Sequence, residues 1–283
     1  MKFKRLSRIF FAVFMFGVNC TLPPVIFAEI ITLKSGKTIE GKILEKTDRY
    51  VRVEVDGSPL YYELKYIRGI EESLDAKSYF EKGLQYACEA KFKLAEEEFK
   101  KGLKRDPEDH NLLEAMRVVD NLNNGLLNEG YAASLFKGSN YLISAKFKEA
   151  IEEFKNALSM KPDDVNVNFY LGLCNFQLGQ FQDAAAFLQK ALEIKADGEI
   201  YYYLGACQYS EGQYAQAINS LSKELETNPD DPDAYFIIGS SHYLSGNNPL
   251  AEENLNKARQ LYDKRGDYTK AKDINNLLSQ IYH

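Results

Sequence analysis

The sequence predicts a mainly α chain: an α-solenoid of five helix hairpins, with one extra helix and a C-terminal capping helix, preceded by a small all-β barrel-like unit. Three observations carry this reading. Residues 29–71 alternate apolar and polar side chains with the period of half-buried strands. From residue 75 onward the period becomes helical. Within the helical part, five glycines, each followed twelve residues later by an alanine, recur at spacings of 55, 34, 33 and 34, which marks stacked repeats rather than one globular core.

The N-terminus reads as an export signal. Lys2, Lys4, Arg5 and Arg8 precede the apolar run Ile9–Val18, which is shorter than the roughly 20 residues a bilayer span needs. Pro23 and Pro24 break the helix, and Ala28 supplies a small residue, so cleavage is expected after Ala28 and residues 1–28 are assigned as signal peptide. Two alternatives stay open: an uncleaved anchor over Ile9–Ala28, or lipidation at Cys20, although Asn19 stands where a lipobox carries a small residue. Either would give membrane association through this segment. The expected location is the periplasm or cell envelope of a bacterium.

Composition narrows the function classes. With 45% apolar and 27% charged residues, the chain has ordinary globular usage, which argues against global disorder. The net charge is −6, and because the first 28 residues carry only the four basic charges, the remainder carries −10. An acidic surface with no basic stripe repels phosphate backbones, so no nucleic-acid partner is expected. Past the signal, three cysteines remain, Cys88, Cys174 and Cys207. The odd number argues against a disulfide framework, and Cys174 and Cys207 occupy equivalent places in successive repeats, too far apart to pair.

The β unit is read over 29–71. Val51, Val53 and Val55 alternate with Arg52 and Glu54, and Leu60, Tyr62 and Leu64 repeat the pattern. Ser35-Gly36 and Asp56-Gly57 mark tight turns, and Gly41 lies within the strand Thr38–Glu45, where a missing side chain permits a sharp bend. Four or five short strands with such a bend suggest a closed or nearly closed barrel. The layout resembles small SH3-like or Sm-like barrels, without a specific motif. A unit this small buries little core, so it is expected to dock on the helices that follow, either as a folding cap or as a separate binding module.

The repeat-defining pairs are Gly83/Ala95, Gly138/Ala150, Gly172/Ala184, Gly205/Ala217 and Gly239/Ala251. Phe99, Phe154, Leu188, Leu221 and Leu255 fill a late apolar position, and Pro107, Pro162 and Pro229 end three of the units. Gly179, Gly212 and Gly246 stand where the first helix of a hairpin needs a left-handed cap. This pattern resembles the tetratricopeptide repeat family over residues 76–283. The resemblance implies repeats of two antiparallel helices, beginning near Ala76, Tyr131, Val165, Gly198 and Pro232, with glycine and alanine facing each other at the crossing. Departures from the family pattern include the absence of tryptophan, Lys82 and Lys137 in place of leucine, and Glu224 in place of a small residue.

The 55-residue interval exceeds one repeat by a single helix, carried by the stripe Leu112, Met116, Val119 and Leu122. One unpaired helix would invert the up-down alternation, so a break is expected near Asn123-Asn124-Gly125. The organisation is therefore a first hairpin at 76–107, an extra helix and linker at 108–130, a four-repeat array at 131–265 and a capping helix at 266–283.

Function is expected in the groove. In the family, the first helix of each repeat lines the concave surface, and carrying its fifth and twelfth positions over gives Phe169/Phe176, Tyr202/Tyr209 and Phe236/Tyr243, with Leu173 beside them. Seven-residue steps return to one helix face, so these residues form either a ladder for an apolar peptide or helix, or packing between neighbouring first helices. Few Lys, Arg or Asn residues occupy groove positions, which argues against a clamp for acidic C-terminal tails. The three histidines, His110, His242 and His283, are scattered, and no zinc spacing, phosphate loop or nucleophile triad occurs. Asp163-Asp164 and Asp230-Asp231 are read as helix caps. The expectation is a non-catalytic adaptor for a protein or peptide partner, with no cofactor or metal. A nucleic-acid binder working through the Sm-like unit and a self-associating structural protein are the alternatives.

Overall fold

The computed structural model describes residues 29–72 and 74–281. The expected signal peptide at 1–28, with Cys20 and the cleavage point after Ala28, lies outside the described residues, as do Tyr282 and His283. The chain divides into two compact units between Leu127 and Asn128.

The first unit opens with five strands, β1 (Glu29–Leu33), β2 (Thr38–Lys46), β3 (Tyr50–Val55), β4 (Ser58–Glu63) and β5 (Ile67–Glu72). They form one antiparallel sheet in the order β4-β3-β2-β1-β5. β2 serves two neighbours in turn: Thr38–Gly41 pair with β1, and Lys42 to Lys46 pair with β3. The change of partner falls at Gly41, where a Cβ would lie 2.6 Å from Val53 Cγ1, so only glycine lets the sheet fold this tightly. Asp56 and Gly57, with φ of 50° and 75°, make the two-residue turn between β3 and β4. Ile31, Ile39, Val51 and Val53 are the buried core.

The barrel is open. β4 and β5 are the two edges of the sheet, joined by a 3-10 turn, Leu64–Tyr66, rather than by strand pairing. Leu64, expected to continue the alternation of β4, instead begins that turn, its N–H donating to Arg49 O at 2.9 Å. Leu60 on the edge strand is 41% exposed.

Three helices complete this unit: α1 (Ala76–Cys88), α2 (Phe92–Arg105) and α3 (His110–Asn123). Arg105 donates to Glu40 at 2.7 Å, tying α2 to the sheet. Lys82, which replaces the usual leucine, reaches Glu98 at 3.3 Å, an ion pair across the first hairpin. The unpaired helix α3 buries Leu112, Met116 and Val119, and Leu112 closes over Gly102, whose Cβ would lie 2.6 Å from Leu112 Cδ1.

The second unit holds four hairpins and a final helix: α4 (Glu129–Ile143) with α5 (Phe147–Met160), α6 (Val165–Gln177) with α7 (Phe181–Ile194), α8 (Gly198–Ser210) with α9 (Tyr214–Thr227), α10 (Pro232–Leu244) with α11 (Asn248–Lys264), then α12 (Tyr268–Ile281). The first helices are capped by side chains of Asn128, Asp164, Asp197 and Asp231, which accept from backbone N–H groups of the first turn. Asp164 and Asp231 thus take the capping role read from the acidic pairs. The second helices α5, α7 and α9 begin after Lys146, Gln180 and Gln213, with no side-chain cap.

Each hairpin turn closes by one bond from the residue after the left-handed position to a carbonyl five residues back: Lys146 to Tyr141, Gln180 to Asn175, Gln213 to Gln208 and Asn247 to His242, all within 2.8–2.9 Å. Gly179, Gly212 and Gly246 occupy the left-handed position with φ of 70–77°. Ala145 holds the same place at φ 55°, and Ala90 does so in the first unit at φ 57°.

The repeat glycines face the second helix as expected, with the backbone oxygens of Ala184 and Ala217 lying 3.4 and 3.3 Å from a Cβ built on Gly172 and Gly205; the nearest side chain is the bulky residue four positions after the alanine, seated directly over the glycine. A Cβ on Gly138 would lie 2.6 Å from Phe154, on Gly172 2.7 Å from Leu188, on Gly205 2.6 Å from Leu221 and on Gly239 2.8 Å from Leu255. Ala150, Ala184, Ala217 and Ala251 are themselves fully buried beside this contact. In the first unit Gly83 faces Phe99, whose Cδ1 would lie 2.5 Å from an added Cβ. Ala95 sits one turn before Phe99 on α2 and is fully buried.

The final helix α12 covers the last hairpin, burying Ala271, Ile274 and Leu278 against Leu255, Ala258 and Tyr262. A polar latch reinforces it: the Tyr262 hydroxyl donates to Asp233 at 2.5 Å, and Lys270 lies 3.3 Å from the same carboxylate and 4.9 Å from the Tyr262 ring.

Two substitutions test these backbone constraints in opposite directions. Gly172→Ala gains helix propensity but drives a methyl into the fully buried Leu188, and urea unfolding should show a net loss of about 1–2 kcal/mol. Ala145→Gly relieves a left-handed residue that costs roughly 1–2 kcal/mol, offset in part by the added freedom of the unfolded chain, and should raise stability by about 0.5–1 kcal/mol.

Candidate functional site

Within the second unit, neighbouring hairpins touch from second helix to the next first helix, and α6, α8 and α10 also approach one another directly. First helices therefore line the inner side of this array. The residue types that let them do so are small: Gly172, Gly205 and Gly239 draw each first helix onto its own second helix, leaving the opposite face for its neighbours.

All seven groove residues read from the sequence, Phe169, Leu173, Phe176, Tyr202, Tyr209, Phe236 and Tyr243, are half-buried on α6, α8 and α10. They do not stand as one uniform ladder. Phe169 and Phe176 set their rings edge-on against Tyr203, with centroids 5.9 and 5.6 Å away, and such pairs add about 0.5–1.5 kcal/mol each beyond burial. Tyr202 packs with Leu221, Ala234 and Ile238, and Phe236 against the cluster around Leu255 and Tyr262. Tyr209 meets Tyr214 at the start of its own second helix, at 5.9 Å, as Phe176 meets Phe181 at 5.6 Å. Phe169, Phe176, Tyr202 and Phe236 are thus used in part for packing, Tyr209 packs within its own hairpin, and every one of these rings keeps some exposure.

Tyr203 is the residue the sequence reading passes over. It is 3% exposed and joins α8 to α6. Its signal was present: it sits two positions before Gly205, as Tyr170 sits before Gly172, and Tyr170 stacks on Phe154 at 5.2 Å. Of the other candidates, Cys174 and Cys207 are buried free thiols pushed up to about 12 by burial, which suits packing and not nucleophilic chemistry. His242 is half-buried on α10, and His110 opens α3. Among the described residues no group of three or more His, Cys, Asp or Glu is arranged to hold a metal, and no helix is long and apolar enough to cross a membrane. In the first unit, a recess of about 370 Å³ is lined by Leu33, Lys34, Ser35, Tyr61, Tyr62, Glu63 and Tyr66, with Glu63 paired to Lys65 at 2.7 Å.

A family model described as Tetratricopeptide repeat matches residues 137–199 and 204–266. Residues 137–266 are tetratricopeptide repeats. The chain is 30% identical over 177 residues to DnaJ protein P58IPK homolog B of Oryza sativa subsp. japonica, covering 61% of this chain and 34% of that protein. Homolog A from the same organism is 31% identical over 134 residues, covering 46% of this chain and 25% of its own length. The chain therefore spans about a third or less of the curated relatives it matches. Among solved structures it is similar to YrrB, described as a TPR protein with an unusual peptide-binding site, at 23% identity and a TM-score of 0.48, covering 71% of this chain and 92% of that one.

One carboxylate stitches the tetratricopeptide array across a repeat boundary. Asp164 caps α6 through the Val167 N–H at 3.1 Å, accepts the Tyr131 hydroxyl from α4 at 2.9 Å, and pairs with Lys161 at 2.7 Å. Burial alone would raise its carboxyl, but Lys161, the Val167 amide and the Tyr131 hydroxyl outweigh it and hold the group below the usual carboxylate range. A carboxyl depressed on folding contributes its full stability above the unfolded value, about 3.9, and loses it as pH falls through the lower folded value. Asp164→Asn keeps the cap and removes the charge. The stability gap between wild type and this variant should therefore be largest at neutral pH and close below about pH 4; a pH-independent gap in urea titrations would count against the charge assignment.

Proposed function

We propose that the protein is a non-catalytic adaptor of the cell envelope whose tetratricopeptide array holds an apolar peptide or helix of a partner protein against the inner face of its last three hairpins. The observation that carries this reading is the row of half-buried aromatic rings on α6, α8 and α10. Rings of this kind combine large contact area with few rotors to immobilise, which makes them the commonest anchors of protein interfaces. The envelope location rests on the basic opening, the short apolar run and the helix-breaking prolines of residues 1–28.

Tyr209 and Tyr243 are the residues to change. Tyr202 and Phe236 pack into clusters with Leu221 and Leu255, so their removal would confound binding with folding. Capture from envelope extracts with wild type and with the Tyr209→Ala/Tyr243→Ala variant should differ by at least about tenfold, the effect of losing one or two interface anchors. Equal capture by a variant of unchanged thermal midpoint would remove the groove from the reading. Recovery of the protein from cytoplasm with residues 1–28 intact would remove the envelope.

A further inference from the structure

The aromatic face carries an unusual distribution of charge. The helices α6, α8 and α10 contain no lysine or arginine at all, and their only carboxylates are Glu199 and Asp233, the latter paired with Lys270 of α12. Over residues 165–244, which make up most of the three hairpins in question, there are ten acidic and three basic residues, a net charge of −7. Each of the three lysines is engaged by the protein: Lys190 lies over the Phe187 ring at 5.6 Å, Lys223 over the Tyr201 ring at 5.1 Å, and Lys195 pairs with Asp197 at 3.7 Å. Asp183, Glu193, Glu226 and Asp230 are exposed around this stretch. Hairpins that carry apolar anchors on their first helices and a net negative charge overall repel an acidic segment, and they attract one whose apolar residues are bordered by cations.

We infer that the occupant of this groove is an amphipathic segment of a partner protein with Leu- or Phe-type side chains on one face and lysine or arginine on the other, and not a neutral or acidic tail. This rests on the groove reading above and specifies its chemistry. The apolar face would lie on the rings of Phe176, Tyr209 and Tyr243, and the cations would sit in the field of the surrounding carboxylates. Those carboxylates act at a distance of about a Debye length, roughly 8 Å at physiological salt, so they set partner choice and encounter rate more than they add contacts.

The test uses the full chain and three synthetic 18-residue helical peptides with the same spacing. The first carries leucine and phenylalanine on one face and lysine on the other, the second replaces every lysine by glutamate, and the third keeps the lysines but replaces the apolar residues by serine. Fluorescence anisotropy should give the first peptide at least about tenfold tighter binding than either other peptide at low salt, with the lysine-over-glutamate preference shrinking as salt is raised. Tyr209→Ala/Tyr243→Ala should weaken the first peptide several-fold, and Glu199→Gln should narrow the preference without abolishing binding. Equal or tighter binding of the glutamate peptide overturns the inference while leaving the groove reading intact. Equal binding of the serine peptide, or no loss in the tyrosine variant, overturns it by showing unspecific attraction to an acidic protein. If none of the peptides binds, the groove reading fails and the inference fails with it.

Discussion

The close approach of glycine to a bulky neighbour governs the array. At Gly138, Gly172, Gly205 and Gly239 the first helix offers no side chain, and Phe154, Leu188, Leu221 or Leu255 fills the vacated volume from the second helix. This single contact fixes how near the two helices of a hairpin lie and at what rotation they meet. Once that rotation is set, the buried alanine beside it needs to be no larger, and the opposite face of each first helix is directed toward the first helices on either side. The aromatic face follows from a requirement for smallness elsewhere.

Polar groups then decide where helices begin and end. Carboxylates and amides cap the first helices, and left-handed residues reverse the chain into the second. Asp164 goes further by taking the hydroxyl of Tyr131 from the preceding repeat, so that a cap becomes a bond between repeats. The first unit keeps the glycine contact, at Gly83 and Phe99. Lys82 pairs with Glu98 across its hairpin, its turn uses Ala90 as the first turn of the array uses Ala145, and a third helix packs on its second.

Much of this was legible in the residues. Spacing alone placed the glycines, the late apolar positions and the left-handed glycines, because each demands one residue type at one offset. The β strands were legible wherever a buried face imposed alternation, as at Val51 and Val53, and illegible at Leu60 and Leu64, where an edge strand gives way to a turn and pattern no longer reports burial. That the bulky residue makes the nearer contact was hidden because Ala184 and Leu188, like Ala95 and Phe99, lie on the same face of one helix, one turn apart, and sequence cannot say which comes closer. For the groove, the helix positions could be read but their division of labour could not. Tyr203 escaped because a core aromatic adjacent to Tyr202 looks like its neighbour until the backbone rotates one inward and the other toward the next repeat.

The latch of Tyr262, Asp233 and Lys270 has a consequence for the direction in which order is lost. A stack of near-identical units behaves as a one-dimensional lattice, and its free ends melt first because they have only one neighbour. Here the C-terminal end is closed by a covering helix and by polar bonds that reach back to α10. Fraying from the C-terminal end is thereby opposed, and the last aromatic hairpin keeps its order for as long as this cover holds.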